Sequence, residues 1–382
     1  MRDAVIVDAV RTPIGRRNGG LKDIHPVDLS AHVLTALLER NGLEPDVIDD
    51  VIWGCVTQIA EQSSNVGRLA VLAAGWPESI AGTTIDRACG SSQQAIHFAA
   101  AGVIAGEYDM VIAGGVECMS RVPIGSARAL GEPYGPLVRA RYNCESFSQG
   151  LGAEEIARRW RFSRAQLDEF ALESHERAIK ATDSGAFDNQ IAPVTIGDVT
   201  VRHDEGMRRD SSLATLAGLR GAFAEEGVIT AGNSSQISDG SGALLITTSE
   251  RAAELGRTPL ARYRSGAVVG DDPVVMLTGP IPATKKVLAR AKLSIDDIGV
   301  FEVNEAFASV PLAWEAELGA DHTRMNPLGG AIAVGHPLGG SGAILMTRLL
   351  HHMKHHRLRY GLQTMCEAGG MANATVVELL GP

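Results

Sequence analysis

Hydrophobic and polar residues along the chain follow two periods in turn, which predicts strands alternating with helices. Residues 3–13, DAVIVDAVRTP, form a short β-branched apolar run that ends at a Thr-Pro turn, as buried strands often do. Residues 25–45 then carry apolar side chains at helical spacing and a glycine stop at Gly42. The same patterns recur in strand segments 49–56 and 109–117 and in helix segments 64–76 and 91–108. Strands apolar on both faces that alternate with helices indicate an α/β fold with a buried sheet.

The pattern changes between Cys118 and Gln236. Residues 121–146 are irregular and rich in Gly, Pro and Arg, and two polar helical segments follow, the second capped by Ser163. The small-residue α/β pattern returns at Ser238 and continues to the end of the chain. We therefore predict an N-terminal half of residues 1–117 to which about 238–258 return, an inserted loop domain of residues 118–237, and a C-terminal half of residues 259–382.

The last third of the chain echoes the first. Cys89 stands in a Gly/Ser-rich stretch ahead of a helix and a strand, and His336 stands in a Gly-rich stretch ahead of a helix and the strand-like YGLQTMCEAGG. A duplicated βα unit whose two halves face one site accounts for this echo.

Composition and charge narrow the class of protein. The chain has 382 residues, 45% hydrophobic and 21% charged, which is typical of a soluble globular protein. No apolar run reaches membrane-spanning length, and the charged N-terminal stretch predicts neither a signal peptide nor an anchor. A formal net charge of −10 argues against general nucleic-acid binding. Five cysteines without CxxC pairs disfavour a disulfide scaffold or a zinc ribbon and favour the cytoplasm.

Cys89 and His336 carry the candidate chemistry. Cys89 lies just ahead of a helix predicted to begin at Ser91 or Ser92, whose free N–H groups and positive dipole end would stabilise a thiolate. A buried, inert cysteine is the alternative. His336 lies in GHPLGGSG, where glycines clear space around the imidazole, as a general base for a thiol requires. An ordinary loop histidine is the alternative, and a phosphate-binding loop is disfavoured because no Lys follows the glycines.

Three further stretches contain reactive or polar residues. Cys366 ends an apparent strand, which suits an acid/base group at a sheet edge but also a core cysteine. Asn304, beside Glu305 in FEVNEAFAS, either caps locally or holds a water or substrate oxygen. The run HHMKHH, residues 351–356, has i,i+4 histidine pairs but no acidic or sulfur partner, so an exposed helix end is favoured over a metal site.

Together these motifs closely resemble the thiolase family of acetyl-CoA C-acyltransferases and acetyltransferases. They follow the family's order over nearly the whole chain: VRTPIGRRNGGL, RACGSSQQA, AGGVECMS, SRAQLDEFALESHERA, ITAGNSSQISDGSGA, NEAFA, NPLGGAIAVGHPLGGSGA and TMCEAGG. The resemblance implies a duplicated thiolase fold with five α/β/α/β/α layers and an inserted loop domain. It also implies a homodimer or homotetramer.

The resemblance assigns a role to each candidate residue. It implies that Cys89 is the acylated nucleophile, that His336 is its activating base, and that Cys366 moves the proton at the α-carbon. It further implies that Asn304 holds an oxyanion-hole water beside His336.

The same resemblance implies a second oxyanion hole from the backbone N–H groups of Cys89, Ala368 and Gly369. It places Ser235 near the pantetheine arm of coenzyme A and Arg220 near the nucleotide.

The implied activity is CoA-dependent cleavage of a 3-ketoacyl-CoA to acetyl-CoA and a shortened acyl-CoA, in fatty-acid or sterol side-chain β-oxidation. Coenzyme A is then a substrate, and neither a tightly bound cofactor nor a metal is expected.

Two departures from the family pattern bear on this expectation. Glu367 and Ala368 stand where the family usually has glycines, and a positive φ at Ala368 would be strained. Ser148 replaces a residue that is often histidine in biosynthetic members, which weakens an acetoacetyl-CoA synthase reading. A β-ketoacyl synthase is disfavoured because Cys366 stands where that family has a second histidine. A non-catalytic acyl-CoA- or lipid-binding relative is disfavoured because all four site residues are present.

Overall fold

The computed structural model describes residues 2–129 and 131–381, which fold as a mixed α/β protein around a large sheet. The strands are β1 (Val5–Arg11), β2 (Gly15–Arg16), β3 (Asp50–Gly54), β4 (Ala81–Ile85), β5 (Met110–Cys118), β6 (Val194–Ile196), β7 (Val199–Val201), β8 (Ser238–Thr247), β9 (Ala261–Gly270), β10 (Val300–Val303), β11 (Tyr360–Glu367) and β12 (Met371–Leu379). The helices are α1 (Pro26–Asn41), α2 (Val66–Ala73), α3 (Ser91–Ala105), α4 (Pro136–Tyr142), α5 (Gln149–Trp160), α6 (Arg164–Asp183), α7 (Leu213–Ala217), α8 (Ser249–Glu254), α9 (Pro280–Ala291), α10 (Ser309–Leu318), α11 (Ala331–Val334) and α12 (Ser341–His356).

The sheet consists of two half-sheets that repeat one connection pattern. The first has the order β4-β3-β5-β8-β1, with β2 beside β8, and the second has the order β9-β12-β11-β10. In each half, the strand that follows the first long helix in sequence pairs in parallel with a neighbouring strand. Strand β3 follows α1 and pairs with β5, and strand β10 follows α9 and pairs with β11. The second half has an isolated parallel bridge, Phe301 to Met325, where the first half has strand β4. Strands β1 and β9 pair over two residues, which joins the half-sheets at one edge.

The helices complete five layers. Helices α1 and α2 cover the outer face of the first half-sheet, and α9 covers the second, with α10 packed on α9. Helices α3 and α12 pack against each other between the half-sheets, and α12 contacts strands of both. The predicted five-layer α/β/α/β/α fold is therefore confirmed.

One tryptophan anchors each outer helix layer. Trp53 on β3 and Trp314 on α10 are fully buried. The Trp53 indole donates to Ser30 Oγ at 3.1 Å, and the Trp314 indole donates to Thr284 Oγ1 at 2.9 Å. Both residues therefore combine a large apolar contact with a satisfied polar group.

The segment between β5 and β8 holds helices α4 to α7 and the β6–β7 hairpin. The two polar helices predicted there are present as α5 and α6, and Ser163 forms a capping box with Gln166 at the start of α6. Helix α4 lies within the stretch that the sequence predicts as irregular, and strand β4 was not predicted, because its residues AGTTI are partly exposed and lack an apolar pattern. The predicted domain boundaries stay a prediction.

Helix α1 ends at Gly42 in the left-handed conformation, as its sequence predicts. Among the described residues, no helix combines the length and the apolar character that a membrane span needs.

Candidate active site

Cys89 sits on a sharp turn between strand β4 and helix α3. Helix α3 begins at Ser91, as predicted, and Ala88 adopts a positive φ of 45°. Three hydrogen bonds hold this turn: Ala88 N–H donates to Asp86 Oδ1 at 2.7 Å, Ser91 Oγ accepts from Arg87 N–H at 2.9 Å, and the Ser91 hydroxyl donates to Ala88 O at 2.6 Å. The strained residue immediately before the cysteine is therefore locked by the first helical turn.

The Cys89 thiol is buried and protonated at rest. Its exposed fraction is 6%, and burial raises its pKa well above the ordinary value, with Cys366 and Glu367 raising it further. The backbone at the helix start lowers the pKa of Cys89, as expected, but burial opposes this effect and is the larger cause, so the role of Cys89 as a nucleophile stays a prediction. A base must remove this proton.

His336 is held as a neutral imidazole whose free nitrogen points away from the helix. Burial lowers the pKa of His336 to about 4. Its Nδ1 lies 2.6 Å from Ser341 Oγ, and the Ser341 hydroxyl donates to Pro337 O at 2.8 Å. Because that hydroxyl has only one proton, its oxygen must accept from Nδ1–H of His336. Nε2 is then the unprotonated nitrogen, as a general base requires.

Asn304 lies at the end of β10 and faces that free nitrogen. Its Nδ2 is 3.5 Å from His336 Nε2, and its backbone N–H donates to Thr364 O at 3.0 Å. Asn304 Oδ1 is buried without a hydrogen-bond partner among the described residues. The amide therefore does not act as a local cap, and its N–H group lies within hydrogen-bond reach of His336 Nε2.

Cys366 lies in strand β11 on the second half-sheet. It is 1% exposed, and burial raises its pKa to about 12. The turn after the strand takes its positive φ values at Gly369 (87°) and Gly370 (74°), whereas Ala368 is not among the residues with positive φ. The substitution of alanine for glycine at 368 is therefore accommodated without that strain.

The three motifs meet in one apolar cluster. Cys89 packs with Leu338, two residues after His336, and with Met365, the residue before Cys366. Cys366 is also close enough for its charge to affect the pKa of Cys89. The structure thus places Cys366 and the histidine loop beside Cys89, and Asn304 beside His336.

Glu117 holds the loops around this cluster together, a role that its sequence context does not predict. It is fully buried at the end of β5, and its carboxylate accepts hydrogen bonds from four groups. The donors are Val56 N–H, Thr57 N–H, Gln62 Nε2 and Gly339 N–H. A charged residue that ends the apolar run VIAGGVE was the available signal. Ser341 was also missed, because nothing in its local sequence distinguishes it from a helix-start serine.

The polar stretch SSQQ at the start of α3 joins the two halves. Ser92 Oγ accepts from Ala343 N–H at 2.9 Å, and Gln93 Nε2 donates to Gln363 O at 3.2 Å and to Thr375 Oγ1 at 2.8 Å. These contacts fix the Cys89 helix against helix α12 and the second half-sheet.

A cleft of about 520 Å³ opens beside the cluster, and Gln236 forms part of its wall. The Gln236 carbonyl accepts from His336 N–H at 3.2 Å, which links the cleft to the histidine loop. His175, Arg208 and Arg209 also line the cleft. Burial lowers the pKa of His175 to about 4, and its Nδ1 accepts from Arg208 N–H at 3.2 Å.

The two residues predicted to contact coenzyme A lie next to this cleft rather than among its lining residues. Ser235 is half-buried beside Gln236, and its N–H donates to Ala306 O at 2.9 Å. Arg220 is exposed and follows Leu219, which lines the cleft.

The histidine run of α12 forms no metal site in the described residues, where no group of three or more His, Cys, Asp or Glu side chains is placed to hold a metal ion. His351 Nε2 lies 3.2 Å from the carbonyl of Ala9, and the rings of His352 and His356 pack with centroids 4.3 Å apart.

Comparison with known proteins gives the same picture over the full chain. The model of the thiolase N-terminal domain matches residues 4–250, and that of the thiolase C-terminal domain matches residues 257–379. A steroid 3-ketoacyl-CoA thiolase of Mycobacterium tuberculosis is 47% identical over 100% of this chain and 95% of its own. A 3-ketoacyl-CoA thiolase of Photobacterium profundum is 44% identical over 99% of this chain and 100% of its own.

A solved structure agrees with these relatives. The acetyl-CoA acetyltransferase of Bacillus anthracis superposes with a TM-score of 0.92 and is 39% identical, covering 100% of this chain and 99% of its own. With both domain models matched in order and relatives this similar from end to end, the chain belongs to the thiolase family and is an acyltransferase.

Proposed function

We propose that the protein cleaves 3-ketoacyl-CoA with coenzyme A, giving acetyl-CoA and an acyl-CoA shortened by two carbons. The observation that carries the proposal is that Cys366 and the loop of His336 lie beside Cys89, with Asn304 facing His336. Relatives that are 44% and 47% identical over the chain bear the name 3-ketoacyl-CoA thiolase. The reaction is reversible, and we place it in the degradative direction.

In the first half-reaction, His336 Nε2 takes the proton from the Cys89 thiol, and the sulfur attacks the 3-keto carbon. The bond between C2 and C3 then breaks, and its electron pair stays on C2 as the enolate of acetyl-CoA. Cys366 donates its thiol proton to C2, which releases acetyl-CoA and leaves an acyl thioester on Cys89. The raised pKa of both thiols fits these roles, because each thiol holds its proton until the step that removes it.

In the second half-reaction, the Cys366 thiolate takes the proton from the thiol of free coenzyme A. The CoA sulfur attacks the acyl carbon, the bond from that carbon to Cys89 breaks, and the cysteine thiolate recovers its proton from the His336 imidazolium. Every proton taken in the first half is thereby returned, and the enzyme ends in its starting state.

Two groups of donors stabilise the negative oxygens that form in these steps. His336 Nε2, once it carries the proton from Cys89, and Asn304 Nδ2 lie 3.5 Å apart and form one hole in our proposal, for a water or a thioester oxygen. The backbone N–H groups of Cys89, Ala368 and Gly369 form the second hole in our proposal. Such donors act where charge develops in the transition state.

Coenzyme A occupies the cleft beside the histidine loop in this proposal. Arg208 and Arg209 line it, and because Arg209 is paired with Asp183, the Arg208 guanidinium is the one available for the phosphates; Ser235 and Arg220 flank the cleft. Gln236, in the wall of the cleft, accepts a hydrogen bond from the backbone of His336. In our proposal, a pantetheine arm that follows this wall therefore has its reactive end directed toward the cysteines.

Replacement of Cys89 by alanine tests the mechanism. We expect thiolysis to fall to background while acyl-CoA binding persists, because the nucleophile is lost and the cleft is unchanged. The matched control is Cys144→Ala, a partly exposed cysteine outside the cluster, which should keep full activity. Thiolysis by the Cys89→Ala protein at the normal rate would exclude the acyl-cysteine pathway.

Acyl-chain preference is tested with a panel of acetoacetyl-CoA, long-chain 3-ketoacyl-CoA and ring-bearing 3-ketoacyl-CoA, compared by kcat/KM. Ser148, where biosynthetic members of the family often have histidine, is the helix cap of α5 here, and its Oγ accepts from Leu151 N–H at 3.3 Å. We expect the longer or bulkier substrates to be preferred. A clear preference for acetoacetyl-CoA would favour the biosynthetic reaction instead.

We further propose that the protein is a cytoplasmic homodimer or homotetramer. In the part of the chain that the structure describes, strand β4 pairs with β3 alone, and its sequence AGTTI has neither charge nor proline to protect the open edge. A second copy can pair along that edge. Light scattering after gel filtration should give twice or four times the chain mass of 40.3 kDa, and a monomer would contradict the assignment. None of the five cysteines is disulfide-bonded, which fits a reducing compartment.

A further inference from the structure

Glu367 is a buried carboxyl group next to Cys366 that none of the steps above uses. It is the last residue of β11 and is fully buried. Side chains alternate along a strand, so Glu367 points to the sheet face opposite to Cys366, toward the start of α3. There it packs on Gly90, the residue after Cys89, because a Cβ atom at position 90 would collide with Glu367 Oε1.

The Glu367 carboxyl group lies beside an unpartnered acceptor. Within residues 2–129 and 131–381, no group donates a hydrogen bond of good geometry to either of its oxygens, although the backbone N–H of Asn373 is close enough to lower the pKa of the carboxyl group. The nearby N–H groups of Gly90 and Ser91 donate to the carbonyls of Arg87 and Ala88 instead.

The acceptor that shares this space is Asn373 Oδ1 on β12, which is also buried and unpartnered among the described residues. It would lie 2.7 Å from the same Cβ at Gly90. Asn373 Nδ2 donates to Gly90 O at 3.3 Å, which fixes the amide with its oxygen away from that carbonyl. Two acceptor oxygens over one glycine are both satisfied when the carboxyl group carries a proton and donates it to the amide.

The charges around Glu367 come from three sides. Asp86 and Arg87 approach from the turn before α3, Cys89 from the start of that helix, and Cys366 from its own strand. Burial raises the pKa of Glu367 to about 8, and Arg87 opposes this rise. A negative charge on Glu367 in turn raises the pKa of both cysteines.

We propose that Glu367 is a positioning residue for the nucleophile: protonated, it packs over Gly90 and hydrogen-bonds Asn373, and its ionisation suppresses formation of the Cys89 thiolate. The inference rests on the proposed role of Cys89. It predicts that the alkylation rate of Cys89 rises less steeply with pH once Glu367 ionises than it would if Glu367 stayed neutral.

The test is the rate at which iodoacetamide alkylates Cys89, followed on the peptide by mass spectrometry between pH values of about 6.5 and 9.5. In the wild-type protein the logarithm of the rate should rise with pH and then flatten near pH 8, where Glu367 ionises. Glu367→Gln keeps the shape and the neutral state, so its rate should keep rising. The ratio of the variant rate to the wild-type rate should increase with pH over this range, by a factor of about ten for each unit by which ionised Glu367 raises the pKa of Cys89.

Two controls make the result specific to Glu367. Glu378→Gln removes another carboxylate from the neighbouring strand β12, where it pairs with Arg359, and should leave the pH profile of Cys89 unchanged. The half-exposed Cys144 reports in the same samples on reagent and pH.

A ratio that does not change with pH would overturn the proposal, because a purely packing role shifts the rate equally at every pH. If Glu367→Gln does not fold, the wild-type profile decides, and a straight rise of unit slope through pH 8 refutes it. Alkylation needs no substrate, so this outcome is separate from the thiolysis test. A failure of the proposed function would instead appear in the thiolysis assay, as activity of the Cys89→Ala protein at the normal rate.

Discussion

Removal of the Ser341 hydroxyl should impair the base without touching either cysteine. Ser341 is buried at the start of α12, and its oxygen holds His336 Nδ1 at 2.6 Å while its proton goes to Pro337 O. In Ser341→Ala the Nδ1–H group is left buried without this partner. The tautomer with the proton on Nε2 then becomes the more favourable one. In that tautomer Nε2 cannot accept the proton of the Cys89 thiol.

The magnitude follows from the lost hydrogen bond. A buried donor left without its partner costs roughly 1–3 kcal/mol. That free energy disfavours the base-competent tautomer, which corresponds to a loss of about 5-fold to 150-fold in its population. The acylation step should slow by the same factor, while the binding of acyl-CoA stays close to that of the wild type because the cleft is unchanged.

The assay is rapid-quench measurement of the acyl-Cys89 burst with a saturating 3-ketoacyl-CoA. Thr347→Val is the matched control, since Thr347 is also buried in α12 and its hydroxyl also donates to the carbonyl four residues earlier, that of Ala343, at 2.8 Å. The control removes a similar helix hydrogen bond without contact to His336. We expect similar melting temperatures for the two variants but slow acylation only in Ser341→Ala.

A Ser341→Ala burst rate within twofold of the wild-type rate would refute the reasoning, because the tautomer would then be set by something other than this serine. An equal loss in Thr347→Val would also refute it, since the effect would belong to the helix and not to the imidazole.

Three further predictions concern the base, the oxyanion hole and the core. Because burial lowers the pKa of His336 from 6.5 to about 4, the imidazole is neutral throughout the mildly acidic range, and the acylation rate should show no inflection near pH 6.5; such an inflection would mean that the base is solvated. Asn304→Ala should lower kcat by about 100-fold to 1000-fold with little change in KM, as measured by steady-state thiolysis, and a pure KM effect would remove Asn304 from the oxyanion hole. Trp314→Ala should reduce the free energy of unfolding by about 3–5 kcal/mol in urea titrations, because it empties a fully buried site between α9 and α10; a loss below about 1 kcal/mol would contradict that packing.

The sequence predicts the parts of this site that depend on residue type and local pattern. Cys89 before a small polar helix start, His336 in a glycine-rich loop and Cys366 at a strand end all stand where their patterns place them. The five layers follow from the same alternation of strands and helices, together with the family resemblance. These features are local in sequence, or they repeat between the two halves, so they can be predicted from sequence.

The contacts that tune the site could not be predicted, because they join residues far apart in the chain. Glu117 reaches Gly339 across 222 positions, and no local pattern at either residue indicates this pairing. The high pKa of Cys89 was missed for a similar reason, since a helix start suggests a thiolate whereas burial by distant elements determines the outcome. Local sequence reports the backbone around a group, but desolvation depends on everything that packs over it.

The duplicated architecture explains why these long-range contacts concentrate here. Each half supplies one helix start, Ser91 of α3 and Ser341 of α12, and each start follows a reactive residue. The two helices are joined at these ends, where Ser92 Oγ accepts from Ala343 N–H at 2.9 Å. Gln363 on β11 bridges them as well, because its carbonyl accepts from Gln93 Nε2 at 3.2 Å and its Nε2 donates to Gly342 O at 2.9 Å. Because the reactive groups precede the joined ends, a shift between the halves would move the nucleophile relative to the base. In the mechanism that we propose, the polar side chains between the half-sheets therefore fix the separation of nucleophile and base without touching the substrate.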